Sequence, residues 1–243
     1  RDRSPSRGLG DVYKRHFVNT FTVFLTTLGL ISARAQVCYG NLNVKFGGAY
    51  CGMSDALDGA THHATEDIAV MRSLPNMTVL VPSDAASTRW ATKYAVDTYG
   101  PMYLRLSRDV YPDLYDENTK FECGKGAIVR DGTDVTVIAC GILVHKALEA
   151  AEQMAERGVS VRVVDMYSIK PIDRELILRC AQETGAIVTA EEHNIYGGLG
   201  SAVAEVLAWG GAAAPTEFVG IPDTFTETGK YTELLAKLSL IHI

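Results

Sequence analysis

The sequence predicts an α/β protein made of two consecutive, mostly parallel α/β units. Three observations carry that expectation. Strand-like apolar runs alternate with stretches of helical spacing. Several runs, such as residues 77–81 (MTVLV), are continuously apolar, as strands buried on both faces of a parallel sheet are. Helix start and stop residues fall between them, with Pro75 closing one helical stretch and Gly158 another.

In chain order, residues 43–47 (NVKFG) form the first strand candidate and a Gly-rich, acidic loop follows at 47–61. Residues 65–74 place Ile68, Ala69, Met71 and Leu74 on one side of a helix, stopped at Pro75. The strand at 77–81 leads to Ser83 or Asp84, either of which can cap a helix to about 99. A strand at 102–106 completes this unit. Residues 110–119 (VYPDLYDENT) show no periodicity and read as a linker. The second unit begins near Phe121, with strands at 127–130, 135–140, 161–165, 186–190 and 218–221. Its helices fall at 143–157, 173–184, 201–207 and 232–237. The expected division is a non-native or disordered tail at 1–15, one domain at 16–112 and a second at 121–240. The basic tail (five Lys/Arg against two Asp) and the last six residues, LSLIHI, resemble translated sequencing-adapter read-through and are set aside from the fold. On that expectation the first unit is truncated at its start.

The 243 residues are 47% hydrophobic and 21% charged, a globular mix that excludes a disordered or collagen-like chain. A net charge of −6 gives no nucleic-acid footprint. The apolar stretch 17–31 is interrupted by Asn19, four Thr and Gly29, too polar and short to span a membrane. Cysteines at 38, 51, 123, 140 and 180 are odd in number and form no CxxC pair. Neither a disulfide framework nor a structural zinc site is indicated, and a cytoplasmic location is expected.

The densest chemical cluster is Asp58-Gly-Ala-Thr-His-His-Ala-Thr-Glu-Asp67, between a strand and a helix, where α/β proteins put ligands. It fits a helix start capped by Thr61 or Thr65 with acidic residues in the first turn. It also fits proton transfer, since two consecutive histidines lie there. A metal reading would use His63 and Glu66, but further ligands are not evident. Arg105 and Arg108 lie at the end of the strand 102–106 and suit either an anion or a surface ion pair. Gly197-Gly-Leu-Gly200 faintly resembles a dinucleotide fingerprint, but position 203 is Val, so tight helix–strand packing is the better reading.

Taken together, Asp58-Gly-Ala-Thr-His62, Glu66-Asp-Ile-Ala, Met71-Arg-Ser-Leu-Pro-Asn76 and Val81-Pro-Ser-Asp84 resemble the pyrimidine-binding domain of transketolase. Ser168-Ile-Lys-Pro-Ile-Asp173 and Thr189-Ala-Glu-Glu-His-Asn194 with Gly197–Gly200 resemble its C-terminal domain. The likeness covers residues 17–237 in order and is strongest to the C-terminal section of split transketolases. 1-Deoxyxylulose-5-phosphate synthase and the β subunits of 2-oxoacid dehydrogenase E1 share the architecture and stand as alternatives.

The resemblance implies a thiamine diphosphate enzyme that transfers a two-carbon ketol unit between sugar phosphates. Phe21 and Phe24 match the aromatic pair that stacks on the aminopyrimidine. His62 matches the proton-transferring histidine, Asp58 the carboxylate that recognises a sugar hydroxyl, and Arg108 the arginine that grips the substrate phosphate. It further implies a partner chain, the diphosphate-binding N-terminal transketolase subunit, which holds Mg²⁺, and self-association as a dimer through an exposed apolar face on the first unit. Three departures stand beside it. No match exists for the family glutamate that activates the cofactor. Tyr50 occupies the place of a substrate-binding histidine; it can hydrogen-bond a sugar but carries no positive charge. The Gly-Asp-Gly…Asn motif for Mg²⁺ and diphosphate is absent. A non-catalytic partner or scaffold half is therefore the reading from a different class.

Overall fold

The computed structural model describes residues 14–238 and 240. The tail expected at 1–15 lies outside the described residues through position 13. Of the last six, Leu238 and Leu240 are described and pack with the second core.

The first sheet has the order β1 (His16–Phe21), β2 (Val44–Ala49), β4 (Met102–Arg105), β3 (Thr78–Leu80), β8 (Ser168–Lys170). The second runs β10 (Thr216–Ile221), β9 (Ala186–Asn194), β6 (Val135–Ala139), β7 (Val161–Asp165), β5 (Ala127–Arg130). Each is parallel except for one antiparallel edge, β8 on β3 and β5 on β7. The two mostly parallel units expected from the sequence are thus present. The helices are α1 (Thr22–Thr26), α2 (Leu30–Ser32, continued as one π-helical stretch Ala33–Cys38), α3 (Asp67–Ser73), α4 (Ala85–Asp97), α5 (Ile142–Glu156), α6 (Arg174–Glu183), α7 (Leu199–Gly210) and α8 (Tyr231–Lys237).

The motif Ser168-Ile-Lys is where the second unit reaches into the first. β8 extends the first sheet, and Lys170 Nζ donates to the carbonyls of Arg72 (2.9 Å) and Leu74 (2.5 Å) at the end of α3. A cation there satisfies orphan carbonyls and complements the helix dipole. Asp84 starts α4 through a reciprocal capping box with Ser87. Its Oδ2 also accepts from the N–H groups of Leu114 (3.1 Å) and Tyr115 (2.9 Å), pinning residues 110–119 to the first unit. Trp90, Phe121 and Tyr167 close the junction, with ring centroids 5.3–5.4 Å apart.

Three local expectations change. The strand at His16–Phe21 is not expected from the sequence, because the polar positions of 17–31 hide its period. The start of α3 is not capped by Thr61 or Thr65: Glu66 occupies the cap position with no side-chain cap bond, and its carboxylate accepts from the N–H and hydroxyl of Thr65. The donor of Ala69 in that first turn goes instead to His193 Nε2, 3.3 Å away on β9. Finally, β9 continues to Asn194, beyond the strand expected at 186–190. There, Glu191 accepts from the N–H groups of Leu199 and Gly200 at 2.7 and 2.8 Å, starting α7. A Cβ on Gly200 would lie 2.3 Å from the Phe218 ring, so these glycines serve close helix–strand packing.

Candidate functional site

The ends of three neighbouring parallel strands build the site. β1 ends at Phe21, β2 is followed by Tyr50, and β4 by Arg108, all on the side where open α/β sheets receive ligands. Gly48 in β2 permits this crowding: a Cβ there would lie 2.6 Å from the Tyr103 ring and 2.7 Å from Thr22 Oγ1. Thr22 can thereby donate to the Ala49 carbonyl at 2.8 Å and draw α1 onto the strand end.

The rings converge. Phe21 lies 5.8 Å from Phe24, 4.9 Å from Tyr50 and 5.8 Å from His62, the last two edge-on. His62 also stands edge-on to Phe24 at 5.4 Å. Arg108 Cζ lies 5.3 Å from the centre of the Tyr50 ring, a cation–π distance. Tyr50 holds a left-handed backbone (φ 59°), uncommon for a bulky residue and kept here by the packing around it. Five of the six residues chosen from the sequence thus form one wall: Phe21, Phe24, Tyr50, His62 and Arg108. Asp58 sits on the exposed rim of the same loop, near enough to His63 to favour its proton.

The wall is open. Phe24 remains 37% exposed although two rings flank it, so this chain leaves a flat apolar surface uncovered. That surface fits a planar heteroaromatic group; the wall carries no acidic side chain of its own. Thr61 Oγ1 lies 3.0 Å from His62 Nδ1, and His62 Nε2 has no hydrogen-bond partner among the described residues. Arg108 is tethered on one side only. Its guanidinium is hydrogen-bonded to Asp55, and its N–H donates to Ser54 Oγ at 3.1 Å. Its side chain is 48% exposed, whereas that of Asp55 is 1% exposed.

The neighbouring Arg105 does something different. It is buried and grips Asp67 with two bonds of 2.7 and 3.0 Å, while Tyr103 donates to the same carboxylate at 2.6 Å. Burial would raise the Asp67 pKa, but the charge and hydrogen bonds of Arg105 overcome this and hold it below the usual carboxylate range. Arg105 also donates to the Glu192 carbonyl at 2.8 Å. The ion-pair reading of Arg105 therefore holds, in the core rather than at the surface.

His63 is buried, with Nδ1 2.6 Å from Thr226 Oγ1 and Nε2 3.1 Å from the Asp55 carbonyl. Burial lowers its pKa, partly opposed by its bond to Asp55. Both ring nitrogens are engaged, which removes the His63–Glu66 metal reading. Among the described residues no group of three or more His, Cys, Asp or Glu is placed to hold a metal, and no helix is long and apolar enough to cross a membrane.

Sequence reasoning missed Asp55, Glu192 and Thr226. Glu192 Oε1 accepts the Met53 N–H at 2.8 Å, anchoring the loop that carries Asp55 and Asp58. Gly52 makes this approach possible: it has φ 58°, and a Cβ there would lie 2.4 Å from the Glu192 carboxyl carbon. Burial pushes the Glu192 pKa up to about 7. The Glu-Glu pair at 191–192 was visible, but alternation along β9 sends the two carboxylates to different tasks. No local signal marks Thr226, because its partner lies 163 residues away.

Residues 10–113 match the family described as transketolase, pyrimidine binding domain, and residues 124–241 the family described as transketolase, C-terminal domain. The 6-deoxy-6-sulfo-D-fructose transketolase subunit SqwH of Clostridium sp. (strain MSTE9) is 40% identical over 96% of this chain and 72% of that protein. An apulose-4-phosphate transketolase subunit of Phocaeicola vulgatus is 39% identical over 97% of this chain and 75% of that protein. Among solved structures, one titled "Split gene transketolase, inactive beta4 tetramer" is 46% identical and superposes with a TM-score of 0.83, covering 92% of this chain and 71% of that one.

Proposed function

This chain belongs to the transketolase family, carrying its pyrimidine-binding and C-terminal domains, and from that premise we propose that it is one half of a two-chain transketolase. In this reading the assembled enzyme transfers a two-carbon ketol unit between sugars that carry an anionic group. The observation that supports it is the wall of Phe21, Phe24, His62, Tyr50 and Arg108 at the strand ends, aromatic on one side and cationic on the other. Thiamine diphosphate, when bound, supplies the carbanion chemistry that side chains lack.

The residues of this chain then bind, orient and move protons. Phe21 and Phe24 hold the aminopyrimidine by stacking and keep water from it. His62, with Thr61 at Nδ1, uses its free Nε2 to take protons from substrate hydroxyls and return them. Asp58 accepts a sugar hydroxyl, and Tyr50 hydrogen-bonds the sugar where a histidine is usual. Arg108 binds the anionic end. The diphosphate and Mg²⁺ are held by a partner subunit, and the chain also associates with itself. The apolar surface of Phe17 and Val18 on β1, Phe24 on α1, Leu28 in the turn that follows and Ile31 on α2 is consistent with both contacts.

The chain alone is expected to be inactive, in keeping with the solved relative whose title describes an inactive tetramer. The test is reconstitution. Purified chain with thiamine diphosphate and Mg²⁺ should show no ketol transfer, and adding the diphosphate-binding subunit should restore it. His62→Ala in that complex should lower turnover about 10²–10⁴-fold, with cofactor affinity and melting temperature unchanged. Full turnover by His62→Ala, or by the chain without its partner, would overturn the reading.

A further inference from the structure

The loop that carries the site is held from the second unit as well as from its own. Gly229 N donates to the Ala56 carbonyl at 3.1 Å. A Cβ on Gly59 would meet Thr228 Oγ1 at 2.4 Å, so loop and segment touch there too. The third contact reaches the site itself. The Asp55 carbonyl can only accept, so His63 Nε2 must carry the proton and donate to it at 3.1 Å. Nδ1 is then a bare lone pair and accepts from the Thr226 hydroxyl at 2.6 Å. One tautomer of a buried histidine therefore links residue 226 to the backbone of Asp55, and the Asp55 carboxylate holds Arg108.

The rest of the surroundings fit a relay. Asp55 Oδ2 is buried and has no hydrogen-bond partner among the described residues, so this carboxylate depends on its backbone bonds and on Arg108 for its position. Arg108 itself lines a cleft of about 330 Å³ that is also lined by Gly229, Lys230 and Tyr231, from the segment that follows Thr226. A guanidinium with one anchored side and one free side is directed by its anchor, and a shift of the anchor moves the free donors.

We propose that Thr226, acting through His63 and Asp55, is a positioning residue for Arg108, so that the second unit sets the grip on the anionic end of the substrate. This rests on the reading that Arg108 receives that end. It assigns the adjacent histidines different tasks: His62 faces the reacting atoms, and His63 transmits position.

The experiment uses the complex of this chain with its diphosphate-binding partner. Binding of ribose 5-phosphate and of ribose is measured by calorimetry for wild type, Thr226→Val, Thr226→Ser, Arg108→Gln and the Thr226→Val/Arg108→Gln pair, with melting temperatures alongside. Thr226→Val removes the hydroxyl at constant shape. It should weaken ribose 5-phosphate binding about fivefold, the scale of one lost neutral hydrogen bond, and leave ribose unchanged. Thr226→Ser should restore wild-type affinity. In the Arg108→Gln background the valine should add nothing, because its effect runs through the missing guanidinium. Thr226→Ala gives the same reading should the valine fail to fold. An equal loss for both sugars, or no loss, overturns the relay. A complex that binds the phosphate in this Thr226-dependent way yet turns nothing over keeps the relay and sinks the proposed activity. A wild type indifferent to the phosphate overturns both.

Discussion

Two polar regions of the first unit, built on the same strand end, follow opposite plans. Around Arg105 every strong group is answered within the chain: Asp67 receives both guanidinium bonds and the Tyr103 hydroxyl, all of it buried. Around Arg108 the groups are left half-answered. One side of the guanidinium is tied to Asp55 and the other is open; His62 has one ring nitrogen without a partner among the described residues; Phe24 shows bare ring surface. The first region fixes where β4 and α3 sit. The second relies on that rigidity, presenting exposed groups that a ligand can take over. Only Leu106 and Ser107 separate the two arginines in sequence, and burial distinguishes their roles.

The comparison breaks most visibly at Arg105. Replacing it by Gln leaves the Asp67 carboxylate buried without its counter-charge, which costs about 3–5 kcal/mol of stability. Urea denaturation of the purified chain should show this, with α3 loosened. Arg108→Gln, half exposed and paired on one side, should change stability by well under half as much. Equal losses for the two variants would mean that Arg108 is a structural residue and that the open wall is an accident of packing.

Why the sequence revealed one region better than the other has a physical basis. The elements that lie within one apolar run or one helical period were readable: β7 at Val161–Asp165 and β5 at Ala127–Arg130 fall where their residues predict, and α4 begins at the Asp84 cap. Five wall residues were named from a resemblance carried by contiguous motifs. What escaped depends on distant pairing. The strand β1 is defined by its register with β2, Phe21 opposite Ala49, and its own sequence is mixed. The exchange of β8 into the first sheet and the bonds of Glu192 to Met53 and Thr226 to His63 join residues more than 80 positions apart. No local period encodes them. The second unit therefore looked like a separate body in the sequence, whereas in the fold it completes the first sheet and holds the site loop.

Buried acids at that junction sharpen the contrast through pH. Glu192 has its pKa raised to about 7 by burial, and Asp165, also buried, is raised to about 7 despite bonds from Ser83 and Tyr115. The folded state then binds protons that the unfolded chain, with carboxyl pKa values near 4, has already released. Stability is fully present below the unfolded values and is lost as pH rises through 7, by up to about 4 kcal/mol for each group. Asp67 works in the opposite sense, its contribution being lost only in acid. Glu192→Gln keeps an acceptor for Met53 and cannot ionise. Urea midpoints at pH 5, 6, 7 and 8 should decline less in this variant than in wild type. Parallel declines would show that Glu192 is ionised in the fold throughout this range.

The smallest effect separates the two phenylalanines of the wall. Phe21 packs against three rings, Phe24, Tyr50 and His62, and is half-buried; among the rings of the described residues Phe24 meets Phe21 and His62, and it keeps more than a third of its surface open. Leucine preserves most of the apolar volume and removes the ring face. At Phe24 the stability change should stay within about 0.5 kcal/mol, as for other exposed positions. The affinity of the assembled complex for thiamine diphosphate should fall about three- to tenfold, the loss of one stacking contact. At Phe21 the same substitution should lower both stability and affinity, because its ring is shared between the protein and the ligand surface. Chemical denaturation and cofactor titration of the two variants test this directly. A Phe24→Leu variant as destabilised as Phe21→Leu, with unchanged cofactor affinity, would place both rings in the core and leave the wall without a ligand to receive.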